Sequence, residues 1–132
     1  MTAMPVPNTH PDIDQTLSGE PVDLAEGRAS TRFVATEAMA TDPRGLVHGG
    51  FVFGLVDHAA MLAVNDPFVV LGSADVRFVA PVKVGDEVIA TAVTTLQKGK
   101  KRVLEVSATA GGAEVMKGTM TAFVLDQHVL DD

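Results

Sequence analysis

The chain has 132 residues, of which 46% are hydrophobic and 20% charged; it contains no Cys, Trp or Tyr, and its net charge is −7. That length holds one domain with a real core rather than two, and the absence of cysteine removes disulfide, thiolate and cysteine–metal chemistry. The acidic balance argues against unaided nucleic-acid binding, because neutralising phosphates needs an excess of Lys and Arg.

Residues 1–20 hold Pro5, Pro7 and Pro11 among scattered polar groups, with neither a two-residue nor a helical periodicity. A loosely ordered arm is expected there, with a single domain over 21–132. The opening "MTAMPVPNTHPDIDQ" lacks the basic and apolar regions of a secretory signal. Asp57 and His58 interrupt the best apolar run short of the ~18–20 residues of a membrane span, so a cytoplasmic protein with no membrane partner is expected. "EGRASTRFVAT" (26–36) alternates weakly and becomes rich in Thr and Val, consistent with a first strand. "DPRG" (42–45) reads as a turn, since Asp before Pro favours turn initiation and Gly45 can close it.

From Gly49 or Gly50 to about Asn65 the chain reads as its one convincing helix, stopped by Asp66-Pro67. Four stretches dense in β-branched residues follow, over 68–81, 86–97, 102–110 and 114–125. The connections between them, "PVKVG", "KGKK" and "GG", are too short for crossover helices, so the sheet should be mostly antiparallel. Phe51, Phe53, Leu55, Val56, Met61, Leu62 and Val64 point in every direction at ~100° per residue. No wet face is expected on this helix, which must be wrapped by the sheet or covered by a partner.

Asp57 lies inside that apolar run. A carboxylate there must raise its pKa, find donors, or face a cleft that water or substrate enters. It is either a structural acid, paired with His58 or with a neighbouring subunit, or a functional one. His48-Gly49-Gly50 stands where the helix starts. Two glycines allow a ligand close to the backbone, and the first-turn N–H groups carry partial positive charge, which suits the oxygen of a carbonyl under attack. Alternatively the glycines only shape the turn. Gly49 and Asp57 are eight residues apart, about 12 Å along the axis. One helix cannot bring both to a single carbonyl, whereas two copies in a dimer could. His10 and His128 lie in terminal segments and His58 has no second ligand at helical spacing, so no metal site is expected.

The string His48, Gly49, Gly50, Phe53, Leu55, Asp57, Ala59, Ala63, Asn65 resembles the motif of hotdog-fold acyl-CoA thioesterases of the phenylacetic-acid-pathway (PaaI) type. The resemblance covers roughly 26–126 and includes "VRFVAPVKVGDEV". It implies an α+β fold, with a five-stranded antiparallel sheet curled around one long central helix, in a homodimer or a homotetramer built as a dimer of dimers. It also implies acyl-CoA as substrate and no cofactor. In such a site the Gly49 N–H is the oxyanion donor, Asp57 is nucleophile or general base, and His48 helps to position the carbonyl or the loop. Gly50 is a substrate-binding candidate beside that donor, and the acyl pocket depends on how Phe51, Phe53, Met61 and strand residues from two chains pack together.

Two positions depart from the pattern. Asp42 stands where the family usually has Asn or Gln, and Met61 where one branch has a hydroxyl residue. A second carboxylate facing Asp57 would raise its pKa, so a non-catalytic acyl-CoA binder or sensor is the alternative to a thioester hydrolase. A hydratase on the same fold would need a His and an acid facing the substrate, a role open only to His48 or His58. Lys98, Lys100, Lys101 and Arg102 cluster in one hairpin and read first as a solvated turn. Arg77 and Lys83, flanking Pro81, are alternative partners for the CoA phosphates.

Overall fold

A computed structural model describes residues 5–131. Along the chain run α1 (Gln15–Ser18), β1 (Glu20–Ala25), β2 (Arg28–Val34), a 3₁₀ turn (Glu37–Met39), α2 (Gly49–Val64), β3 (Val69–Phe78), β4 (Glu87–Lys98), β5 (Lys101–Ala110) and β6 (Ala113–Val124). The strands form one sheet in the order β1-β2-β4-β5-β6-β3, with every neighbouring pair antiparallel. Hairpins link β4 to β5 and β5 to β6, as their short Gly-containing connections require.

The sheet has six strands, not the five expected. The additional one, β1, reads "EPVDLA", with a proline, two acids and no β-branched run. It forms because it lies at the sheet margin, where proline is tolerated and only one partner is needed. Its register with β2 slips between Pro21 and Asp23, and Leu24 alone in it is buried. The first strand expected over 26–36 accordingly narrows to β2, its beginning taken up by the β1–β2 turn. Two further short helical pieces, α1 and the 3₁₀ turn, stand beside the one helix expected.

The sheet curls around α2. Leu55, Val56, Ala59, Ala60 and Leu62 are fully buried and meet Phe33, Val88, Ala90, Leu104, Met116 and Met120 from the strands in one core. Thr31, a fully buried strand residue, donates its hydroxyl to the Leu55 carbonyl at 2.8 Å and ties β2 to the middle of the helix. A buried hydroxyl needs such a partner. The helix ends at Asn65, whose left-handed backbone (φ 54°) is tolerated by asparagine and whose N–H reaches the Met61 carbonyl at 2.8 Å. The Asn65 side chain also holds residues 6–8: it accepts from the Asn8 N–H at 2.6 Å and donates to the Val6 carbonyl at 3.1 Å.

Within one chain the sheet leaves an open stripe on the helix, so wrapping by the sheet alone does not cover it. Gly50 is exposed, and Phe53, Gly54 and Asp57 are only half-buried; at 100° per residue these four fall within roughly 100° of one another. Two of the four are glycines, which show no polar side chain to a reader of the sequence. The stripe is therefore open without being hydrophilic.

Candidate active site

Asp57 sits on that open stripe, two turns into α2. Its Oδ1 is buried and has no hydrogen-bond partner among the described residues. Burial pushes its carboxyl up to about 6, because the charged form loses water without gaining donors. No neighbouring carboxylate contributes to that shift. The group can take a proton or accept a hydrogen bond from whatever enters the cleft, which is the chemistry of a general base working near neutrality.

His58, the next residue, points a third of a turn away into the protein and is 2% exposed. Its Nδ1–H donates to the Ser18 carbonyl at 3.2 Å, and its ring lies 6.1 Å from that of His10. Burial lowers the pKa of both histidines. His58 thus serves packing and does not pair with Asp57.

The start of α2 is uncapped by any side chain: His48, the N-cap, is extended (φ −63°, ψ 129°) and makes no side-chain hydrogen bond to the first turn. Its exposed ring instead stands edge-on to Phe51 at 6.1 Å. The Gly49 and Gly50 N–H groups receive no side-chain cap. The two glycines sit close under neighbouring rings. A Cβ on Gly49 would come within 3.3 Å of the Phe78 ring, and one on Gly50 within 3.0 Å of the His48 ring. The bare amide tip is thereby framed by aromatic edges.

The remaining candidates divide. Phe53 lies on the open stripe near Asp57, whereas Met61 is 1% exposed and belongs to the core within this chain. Arg77 and Phe78 alternate across β3, so with Phe78 against Gly49, Arg77 faces the outer side of the sheet. There it lines a cleft with Asp75, Glu105 and Lys117. Lys83 and Asp42 share a different cleft, of about 430 Å³, between the loop before α2 and the loop after β3. Asp42 does not point at Asp57. Its Oδ1 accepts from the N–H groups of Arg44 (2.9 Å) and Leu46 (3.2 Å) and so holds its own turn. In the basic hairpin, Lys100 pairs with Asp126 at 2.8 Å and Arg102 donates to the carbonyls of Gly99 and Lys101. Among the described residues no group of three or more His, Asp or Glu is arranged to hold a metal ion, and no helix is long and apolar enough to cross a membrane. Phe78 and Arg44 were not anticipated. The alternation of "VRF" would have put Phe78 on the helix side of the sheet, but nothing local marks Arg44.

A family model described as fluoroacetyl-CoA-specific thioesterase matches residues 55–128. The chain belongs to the fluoroacetyl-CoA-specific thioesterase family. Its fold is shared with an uncharacterized protein from Pyrococcus horikoshii, at 45% identity over 98% of this chain and 100% of the other with a TM-score of 0.96. An Asn-to-Asp variant of the phenylacetic acid degradation protein PaaI from Thermus thermophilus is similar at 28% identity, over 84% of this chain and 96% of that one, with a TM-score of 0.76. These likenesses identify the architecture as the hotdog fold of PaaI-like thioesterases. Among curated proteins, the chain is 49% identical over 119 residues to methylthioribose-1-phosphate isomerase from Aquifex aeolicus, covering 89% of this chain and 26% of that protein. It is 29% identical over 113 residues to transcription factor FapR from Caldanaerobacter subterraneus, covering 85% and 56%. This member of the thioesterase family therefore spans only a quarter to just over half of the length of those two relatives.

Proposed function

We propose that the chain is an acyl-CoA thioesterase acting on a small or aryl acyl group at a site shared by two copies. The thioester carbonyl accepts a hydrogen bond from the Gly49 N–H of one copy. Asp57 of the other either attacks the carbonyl carbon, so that C–S cleavage expels the CoA thiolate and leaves a mixed anhydride that water hydrolyses, or takes a proton from a water that attacks that carbon and passes it to the departing thiolate. The observation that carries this reading is the buried, unpartnered Oδ1 of Asp57 on an otherwise open helix stripe. Supporting the shared site are the ~12 Å between Gly49 and Asp57 on one helix, the strand β3 at the sheet margin, and the exposure (55%) of Phe78 against Gly49. His48 and Gly50 border the carbonyl, and Phe53 the acyl group; Met61 lines the pocket only if the second copy draws it open. Family membership supports the reaction class.

The test is release of free thiol from short-chain, medium-chain and aryl acyl-CoAs by the parent protein and by Asp57→Asn. We expect the variant to lose about 10²–10⁴-fold in turnover. Parent turnover undiminished in the variant would remove Asp57 from the reaction. A second reading, an acyl-CoA binder or sensor that does not hydrolyse its ligand, is favoured by the likeness to the transcription factor FapR. Tight binding of acyl-CoA by the parent protein with no thiol release would select it.

A further inference from the structure

The loop preceding α2 and the loop following β3 are laced together: the Val47 N–H donates to the Val82 carbonyl at 2.8 Å and the Val84 N–H to the Gly45 carbonyl at 2.9 Å. This lacing sets Arg44 and Lys83 on the walls of one cleft of about 430 Å³, with Leu46, Pro81 and Val82 as an apolar floor. Two acids, Asp42 and Asp86, also border it, and in a protein of net charge −7 they would be expected to neutralise the two cations. Each carboxylate is instead turned to backbone N–H groups of its own loop and forms no ion pair across the cleft. Asp42 accepts from the backbone of its own turn, and Asp86 accepts from the Lys83 N–H at 3.0 Å. The ion pairs among the described residues involve other side chains, so the guanidinium of Arg44 and the ammonium of Lys83 meet no carboxylate. A cleft with two uncommitted cations over an apolar floor suits a ligand carrying phosphates beside a flat apolar group. Leu46, in the cleft floor, stands three residues before Gly49 in the chain.

We infer that Arg44 and Lys83 hold the phosphorylated nucleotide end of the acyl-CoA, while its thioester reaches the amide tip of α2. This rests on the acyl-CoA reading above and assigns the far end of the same ligand. Arg77, on the outer side of the sheet, has no part in it.

The experiment measures binding of CoA, of 3′-dephospho-CoA and of an acyl N-acetylcysteamine thioester, which lacks the nucleotide, to the full chain and to its Arg44→Ala and Lys83→Ala variants at low salt. Each substitution should weaken CoA about tenfold, as for a charge-assisted phosphate contact. The loss should be smaller for 3′-dephospho-CoA, absent for the short thioester, and diminished by added salt. Both side chains are exposed, so the variants should fold, which an unchanged melting temperature verifies. Equal affinity of the variants and the parent for CoA overturns the assignment. So does a parent that binds CoA no better than the short thioester, and that result leaves the acyl site standing. A parent that binds none of the three ligands and releases no thiol removes the underlying reading as well.

Discussion

Asp57 and His58 are neighbours on one helix and meet opposite fates. The acid stands on the open stripe with a buried oxygen that nothing among the described residues satisfies, while the imidazole, 2% exposed, is fastened to the Ser18 carbonyl and backed by His10. Burial drives both toward their neutral forms, which raises the carboxyl and lowers the imidazole. The difference lies in what surrounds them. The buried face of α2 is completed by the fold, and the stripe is left open in the single chain. An unpaired polar atom is tolerated in a native protein where function uses it.

The sharpest way to break this contrast is to exchange the two sides in activity. Asp57→Asn should abolish most thiol release, whereas His58→Gln should retain turnover within about tenfold; equal losses in a steady-state assay would show that the faces are not functionally distinct. Stability should divide in the reverse sense. Leu55→Ala, on the closed face, should cost about 2–5 kcal/mol in a urea titration, and Phe53→Ala on the stripe less than half of that.

The pH dependence sharpens the comparison further. The folded carboxyl of Asp57, at about 6, lies above its ordinary 3.8, so the folded state holds that proton more tightly, and the contribution of this group to stability is lost as pH rises from about 4 through 6. Asp57→Asn should therefore be more stable than the parent at pH 7, by roughly 1–2 kcal/mol after allowing for the half-open site, with the advantage gone by pH 4. The histidines act with opposite sign. Lowered below 6.5, they favour the fold when neutral, and their contribution is lost as pH falls below that value. In His58→Gln the decline of stability between pH 6.5 and 5 should be shallower than in the parent, as thermal melts across that range would reveal.

How far this could be read from residues alone follows the same division. The helix and the four strands after it were legible to within a few residues, because β-branched runs and the Asp66-Pro67 stop act locally. β1 was not, since "EPVDLA" takes strand form only because β2 offers it a margin. Asp57 stood out as a charge among apolar neighbours, but the open stripe around it did not: Gly50 and Gly54 leave no side-chain signal, and accessibility is set by where the curling sheet stops. Asp42 was open to two readings, a second acid in the site or the residue that starts the "DPRG" turn, and its hydrogen bonds within this chain are those of the turn. Spacing along the chain says which residues can meet, and only the closure of the two loops says that Arg44 and Lys83 do.

Asn65 joins two jobs in one side chain, since the residue that halts α2 also grips the carbonyl of Val6 and the amide of Asn8. Glycine there would keep the left-handed stop and sever both grips. Hydrogen exchange in Asn65→Gly should then quicken over residues 6–10 while 49–64 remains slow. The latch on the leading residues is thus adjustable through one side-chain amide, at no expense to the helix it caps.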